Sequence, residues 1–219
     1  MFRKGVARAG RWQKMATAAD SEYKIVLLGD PGVGKTTWFL QVRQGEFVDT
    51  ENTAMSMGVD HLEHKVTVDE KEVKAYLHDT GGGERFRTLT ANFYRHADAA
   101  ILMYSVEDRY TFENLQEWVE SAADVVDMDS FVFALVGNKS DLPLEVEHES
   151  IRARCDILGT QLSFFTSAKT GDNVMESFEK MVHYLHRTRS TRSSAPTTIT
   201  GTIIRPSGGK QKQTCCSLM

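Results

Sequence analysis

Cysteine is scarce in this chain: 3 in 219 residues, at Cys155, Cys215 and Cys216. Two of them are adjacent, which argues against a disulfide framework and suits a reducing compartment. No apolar run reaches the roughly 18 residues of a membrane span. Acidic side chains are missing from both ends. Residues 1–19 hold five basic groups (Arg3, Lys4, Arg8, Arg11, Lys14), and residues 187–219 hold six (Arg187, Arg189, Arg192, Arg205, Lys210, Lys212). All 30 acidic residues therefore lie in 20–186, opposed by 15 basic ones, beneath a formal net charge of only -4. An acidic body with basic tails is a poor nucleic-acid binder. A basic tail suits an anionic membrane surface, at about 1 kcal/mol per Lys or Arg near it.

What is present is ordinary for one globular domain with a full core: 41% hydrophobic and 26% charged residues. Short apolar runs predict strands over 23–29, 58–68, 73–79, 99–106, 131–137 and 162–167. The second and third flank the turn signal VDEKE and predict an antiparallel hairpin. Helical stripes fall over 35–44, 111–126 and 173–187, and residues 147–157 suit a helix. Strands alternating with helices imply a mostly parallel sheet covered on both faces. Beyond Thr188 the periodicity stops, and a Ser-, Thr-, Gly- and Pro-rich stretch reads as a disordered linker.

GDPGVGKT (29–36) fits Gly-x-x-x-x-Gly-Lys-[Ser/Thr] between a predicted strand and a predicted helix. Its glycines turn backbone N–H groups toward phosphate oxygens, and the helix N-terminus adds positive potential. Lys35 would reach the β- and γ-phosphates, and the Thr36 hydroxyl would bind Mg²⁺. Asp79 ends a strand where a Mg²⁺-associated carboxylate belongs in such folds; taken alone it would read as a turn residue. NKSD (138–141) and SAK (167–169) each follow a strand directly, at the edge where open α/β sheets bind ligands. Each is weak alone. In this order and spacing they match guanine-recognition elements, where an aspartate accepts two N–H groups of the base.

With these residues the chain resembles the Rab family of the Ras superfamily of small GTPases, as a divergent member. MGVDH (57–61), KAYLH (74–78), RFRTLT (85–90), FYRHA (93–97) and MYSV (103–106) are each close to a stretch typical of Rabs. TCCSLM (214–219) matches the Cys-Cys-x-x-x prenylation pattern. The resemblance implies an α/β fold: a single P-loop GTPase domain with a six-stranded, mostly parallel sheet, one antiparallel edge strand and helices on both faces. It implies a basic flexible extension over 1–22, the GTPase domain over 23–187 and a basic hypervariable tail over 188–219.

The resemblance also assigns roles. Asp30, Pro31, Gly32, Val33, Gly34, Lys35, Thr36 and Thr37 would hold the phosphates of GTP or GDP. Asn138 and Asp141 would hold the base, with the Lys139 stem along its face, and Ser167, Ala168 and Lys169 would complete the pocket. Thr36, Ser56 and Asp79 would serve Mg²⁺, with Thr53 a rival to Ser56. Lys35 and position 83 would carry catalysis, and Gly82 would contact the γ-phosphate. Prenyl groups on Cys215 and Cys216 would anchor a monomeric GTPase to the cytoplasmic face of a membrane, doubly geranylgeranylated or, by the Cys-a-a-X reading, farnesylated. Implied partners are the escort protein, the GDP-dissociation inhibitor, an exchange factor, a TBC-type GAP and effectors, without nucleic acid. Such proteins switch vesicle traffic.

Three departures stand out. The family usually reads Trp-Asp-Thr-Ala-Gly-Gln-Glu where this chain reads HDTGGGE. Gly83 replaces the water-orienting glutamine, a loss worth about 10²–10³ in rate by analogy with deleted oxyanion-hole donors. Gly81 and Gly83 also make this segment harder to order, by about 0.5–1 kcal/mol each. Pro31 stands where Rabs have a small residue and donates no N–H. His61 and His78 replace surface aromatics and read as partly exposed histidines facing a partner. Residues 1–14 read as an alternative-start extension before Met15, with a weak mitochondrial presequence as the competing reading. A GTP-binding interaction module that scarcely hydrolyses is the rival function. A P-loop kinase of small molecules fits NKSD and SAK poorly.

Overall fold

The computed structural model describes residues 21–47, 60–80 and 96–193. Six strands form one sheet: β1 (Ser21–Leu28), β2 (Asp60–Val68), β3 (Lys71–Asp79), β4 (Ala99–Ser105), β5 (Val132–Asn138) and β6 (Ser163–Phe165), in the order β2-β3-β1-β4-β5-β6. Only the β2–β3 pair is antiparallel. Its turn places Asp69 and Glu70 at φ 48° and 63°, the backbone twist that a two-residue hairpin needs. The expected sheet, with its antiparallel edge strand, is the one observed.

Helices α1 (Lys35–Gln44) and α5 (Val174–Ser193) cover one face, and α2 (Arg109–Glu113), α3 (Leu115–Ala123) and α4 (His148–Leu158) the other. Every residue of β4 is buried, as a central strand sandwiched between two helical layers requires. On the first face Trp38 and Phe39 of α1 pack with Phe178, Met181 and Leu185 of α5. On the second, Leu115, Trp118 and Ala122 of α3 pack over Leu102 and Leu135. Cys155 is partly buried against this second core, and burial raises its thiol pKa.

The helix expected over 111–126 is instead two helices that meet at Asn114. Asp108 caps α2 by accepting from the Tyr110 N–H at 3.0 Å, which starts the helix before Thr111. The strand expected over 162–167 ends at Phe165, because Thr166 and Ser167 turn into the site described below. The disordered tail expected from residue 188 does not begin there: α5 takes in residues 188–193, and residues 194–219 lie outside the described residues. Arg187 pairs with Asp69 at 3.2 Å, and Arg189 pairs with Asp98 at 2.6 Å and lies 5.6 Å over the Tyr23 ring. These contacts hold the last turns against the sheet, where no apolar repeat marks them.

Because β3, β1, β4, β5 and β6 run parallel, their carboxyl ends share one edge. That edge collects Gly29, Asp79, Asn138 and Ser167 from four separate stretches of sequence. β1 lies between strands that follow it on opposite sides, the position where open α/β sheets leave a crevice.

Candidate nucleotide site

The phosphate loop leaves β1 at Gly29, whose φ of 142° suits only glycine. A Cβ there would lie 2.1 Å from the Met103 carbonyl oxygen, so the loop can pass this close to β4 only without a side chain. Gly34, at φ 93°, caps α1, and the helix then opens with Lys35. Lys35 folds back over the loop and its Nζ donates to the carbonyl oxygens of Gly29 and Asp30, both at 2.7 Å. Burial lowers the Lys35 pKa to about 8, while the Asp79 and Asp30 carboxylates oppose that fall. A buried ammonium that spends only part of its donor capacity on carbonyls is well suited to phosphate oxygens.

The Thr36 hydroxyl donates to Asp79 Oδ2 at 2.7 Å, bringing the two residues expected at the metal side by side. Asp79 is fully buried at the end of β3. The next residue, Thr80, donates its hydroxyl to the Leu27 carbonyl at 2.7 Å and ties this strand end to β1.

On the base side, Asn138 is buried and joins three loops. Its Nδ2 donates to the Val33 carbonyl at 2.8 Å, and its Oδ1 accepts from the Ala168 N–H at 3.0 Å and the Thr166 hydroxyl at 3.3 Å. Its amide therefore holds the phosphate loop against the SAK loop, with one N–H to spare. Asp141 is exposed, and one carboxylate oxygen accepts from the Ser167 hydroxyl at 2.6 Å. Ser167 Oγ in turn accepts from the Thr170 N–H at 3.1 Å. These two hydrogen bonds orient an exposed carboxylate that has acceptor capacity to spare. Lys139 adopts φ 65° and its Nζ meets Glu107 at 2.7 Å, which fixes the direction of its stem. Ala168 is buried and Lys169 exposed beside it.

A model of the Ras family matches residues 24–187, three quarters of the chain. Ras-related protein Rab-11C of Dictyostelium discoideum is 31% identical over 194 residues, covering 88% of this chain and 85% of that protein. Ras-related protein YPTC6 of Chlamydomonas reinhardtii is 34% identical over 213 residues, covering 90% and 96%. Human Ras-related protein Rab-9A is 36% identical over 200 residues, covering 90% and 98%. The chain belongs to the Ras family of small GTPases, in its Rab branch.

As a Rab-family GTPase it binds guanine nucleotide and hydrolyses GTP, and Mg²⁺ is typical of its family. Thr36 and Asp79 fit that ion, since a hydroxyl and a carboxylate in contact offer the hard oxygens it takes. When bound, Mg²⁺ would neutralise phosphate charge there. Gly81, Gly82, Gly83, Ser56, Thr53, Cys215 and Cys216 lie outside the described residues.

One member of the expected phosphate set is engaged differently. The Asp30 carboxylate faces away from the loop and accepts from Asn114 Nδ2 at 2.8 and 2.7 Å and from Trp118 Nε1 at 2.8 Å. Only its backbone addresses Lys35. Asn114, Trp118, Glu107 and Thr166 are thus site residues that sequence reasoning missed. Trp118 lies on an apolar stripe and reads as core, while Asn114 reads as an ordinary helix residue. Their spacing of four, one helical turn, is the only trace of the shared partner.

His61 and His78 sit directly opposite in the β2–β3 register with rings stacked at 5.8 Å. His78 is half-buried, and burial, Lys24 and His61 lower its pKa to about 4. It is neutral at physiological pH. Among the described residues no three His, Cys, Asp or Glu side chains form a metal-sized group, and no helix is long and apolar enough to cross a membrane.

Proposed function

We propose that this Rab-family protein is a membrane-anchored GTP/GDP switch in vesicle traffic whose intrinsic hydrolysis is weakened at Gly83. Lys35 and the backbone of 30–37 hold the phosphates, with Gly82 on the γ-phosphate. Thr36, Asp79 and Ser56 hold Mg²⁺. Asp141 reads the guanine N–H groups, Asn138 clamps the loops, and Lys139, Ser167, Ala168 and Lys169 complete the base pocket. Prenyl groups on Cys215 and Cys216 supply the anchor, aided by the basic tail. A TBC-type GAP supplies what Gly83 lacks, and the escort protein, dissociation inhibitor, exchange factor and effectors follow the family.

The observation that carries the nucleotide-binding part is the contact between Thr36 and Asp79 beside a buried Lys35, from segments more than 40 residues apart. The hydrolysis part rests on the identity of residue 83, since glycine has no group to orient water. Single-turnover GTP hydrolysis of the full chain and of Gly83→Gln tests it. Slow turnover accelerated by glutamine is expected. An ordinary rate unchanged by the substitution would mean that another group orients the water.

A further inference from the structure

Asp30 is linked to the nucleotide site and to the helical layer at once. Its backbone oxygen accepts from Lys35 Nζ at 2.7 Å, and its carboxylate accepts from Asn114 and Trp118. The residue is 6% exposed. A buried carboxylate must find hydrogen-bond donors, so its place is dictated by where α2 and α3 put them. Asn114 is the residue at which the two helices meet, and Trp118 lies one turn into α3 with its ring in the second core. Pro31 follows Asp30 with a ring-locked φ, so a displacement of Asp30 passes into the loop instead of being absorbed by backbone rotation.

We propose that Asn114 and Trp118 are positioning residues for phosphate binding: through Asp30 they hold the first turn of the phosphate loop, and so set how long the β-phosphate of a guanine nucleotide is retained. This rests on the reading of the site as a guanine-nucleotide site. Neither side chain touches the nucleotide. Their effect reaches it through the Asp30 carbonyl and the Lys35 ammonium. The junction of α2 and α3, on the surface beside exposed Tyr110, is then mechanically coupled to nucleotide residence.

The test uses the full chain loaded with fluorescent GDP, and compares GDP with GMP, which lacks the β-phosphate that Lys35 would reach. Trp118→Phe removes one donor and keeps an aromatic ring in the core. GDP release about tenfold faster than wild type is expected, as for loss of one charge-assisted bond. GMP affinity should stay within about twofold, because the loss is confined to phosphate positioning. Asn114→Ala should act in the same direction. The exchanged pair Asp30→Asn with Asn114→Asp restores a donor facing an acceptor, with an amide oxygen left for Trp118, and should recover most of the GDP affinity that Asn114→Ala loses. GDP release unchanged in Trp118→Phe, or GDP and GMP weakened equally, would overturn the proposal in favour of a purely structural role. A wild-type chain that binds neither GDP nor GTP would overturn the guanine-nucleotide reading itself, and this inference with it.

Discussion

Replacing Asn138 by alanine removes one side chain from the point where three loops meet. Three groups lose a partner: the Val33 carbonyl (2.8 Å), the Ala168 N–H (3.0 Å) and the Thr166 hydroxyl (3.3 Å). Asn138 is 1% exposed, Ala168 is 3% exposed, and Val33 and Thr166 are fully buried, so water cannot readily replace what is lost. A neutral hydrogen bond contributes about 1 kcal/mol net, and a buried group left unsatisfied costs about 1–3 kcal/mol. Thr166 can turn its hydroxyl elsewhere, which leaves two backbone groups without a partner. The expected loss is about 2–5 kcal/mol, a large part of the about 5–15 kcal/mol that holds a domain together. Urea unfolding of the nucleotide-free protein should show a lowered midpoint with an unchanged slope. Hydrogen exchange gives the sharper readout. The Ala168 amide, whose acceptor is Asn138 Oδ1, should lose more protection than the amides of the buried strand β4, which report only the global loss. A midpoint shift corresponding to less than about 1 kcal/mol, with Ala168 still protected, would refute the view that Asn138 is the clamp.

If Asp141 holds the base as proposed, Asp141→Asn puts a donor opposite the guanine 2-amino group, so GDP affinity should fall while that for the xanthine nucleotide, which carries an oxygen there, should rise; competition between the two reads it. Arg189→Ala breaks the pair with Asp98 and the stacking on Tyr23, and should cost about 1 kcal/mol and increase amide exchange in the last turn of α5 without changing GDP affinity. His78 has a folded pKa of about 4, below the about 6.5 of an unfolded chain. The folded state therefore binds fewer protons, and stability should drop as pH falls from about 6.5 to 4, by about 1–2 kcal/mol once screening at this half-buried site is allowed for. His78→Phe should remove that part of the acid sensitivity, seen as a smaller difference between urea midpoints at neutral and acidic pH.

Much of the site was legible because phosphate and base recognition constrain residues close together in sequence. A glycine loop with its lysine and threonine must be contiguous, since backbone N–H groups, a helix N-terminus and one hydroxyl converge within two turns. Hence Lys35 and Thr36 stand where their motif places them, Asp79 reaches Thr36, and Asp141 is steered by Ser167. The strand pattern was legible for a similar reason: β4 is apolar on both faces because both are covered, and AAILMYS says so without a partner strand in view.

What only the tertiary structure decided are the contacts whose two ends carry no local signal. A tryptophan on an apolar stripe is expected to be core, and Trp118 is; that its N–H also reaches Asp30, 88 positions away, depends on how α3 packs on β4 beside the phosphate loop. Asn138 reads as a base contact; that its buried amide also bridges two loops depends on how those loops meet in the fold. The continuation of α5 past Thr188 is supported by Asp69 and Asp98, which are near Arg187 and Arg189 only once the sheet has formed. The kind of chemistry was readable along the chain, because phosphate and guanine dictate local residue types. Folding determined which side chains meet the nucleotide and which hold those that do, because that division is set by burial and by distances across the sheet.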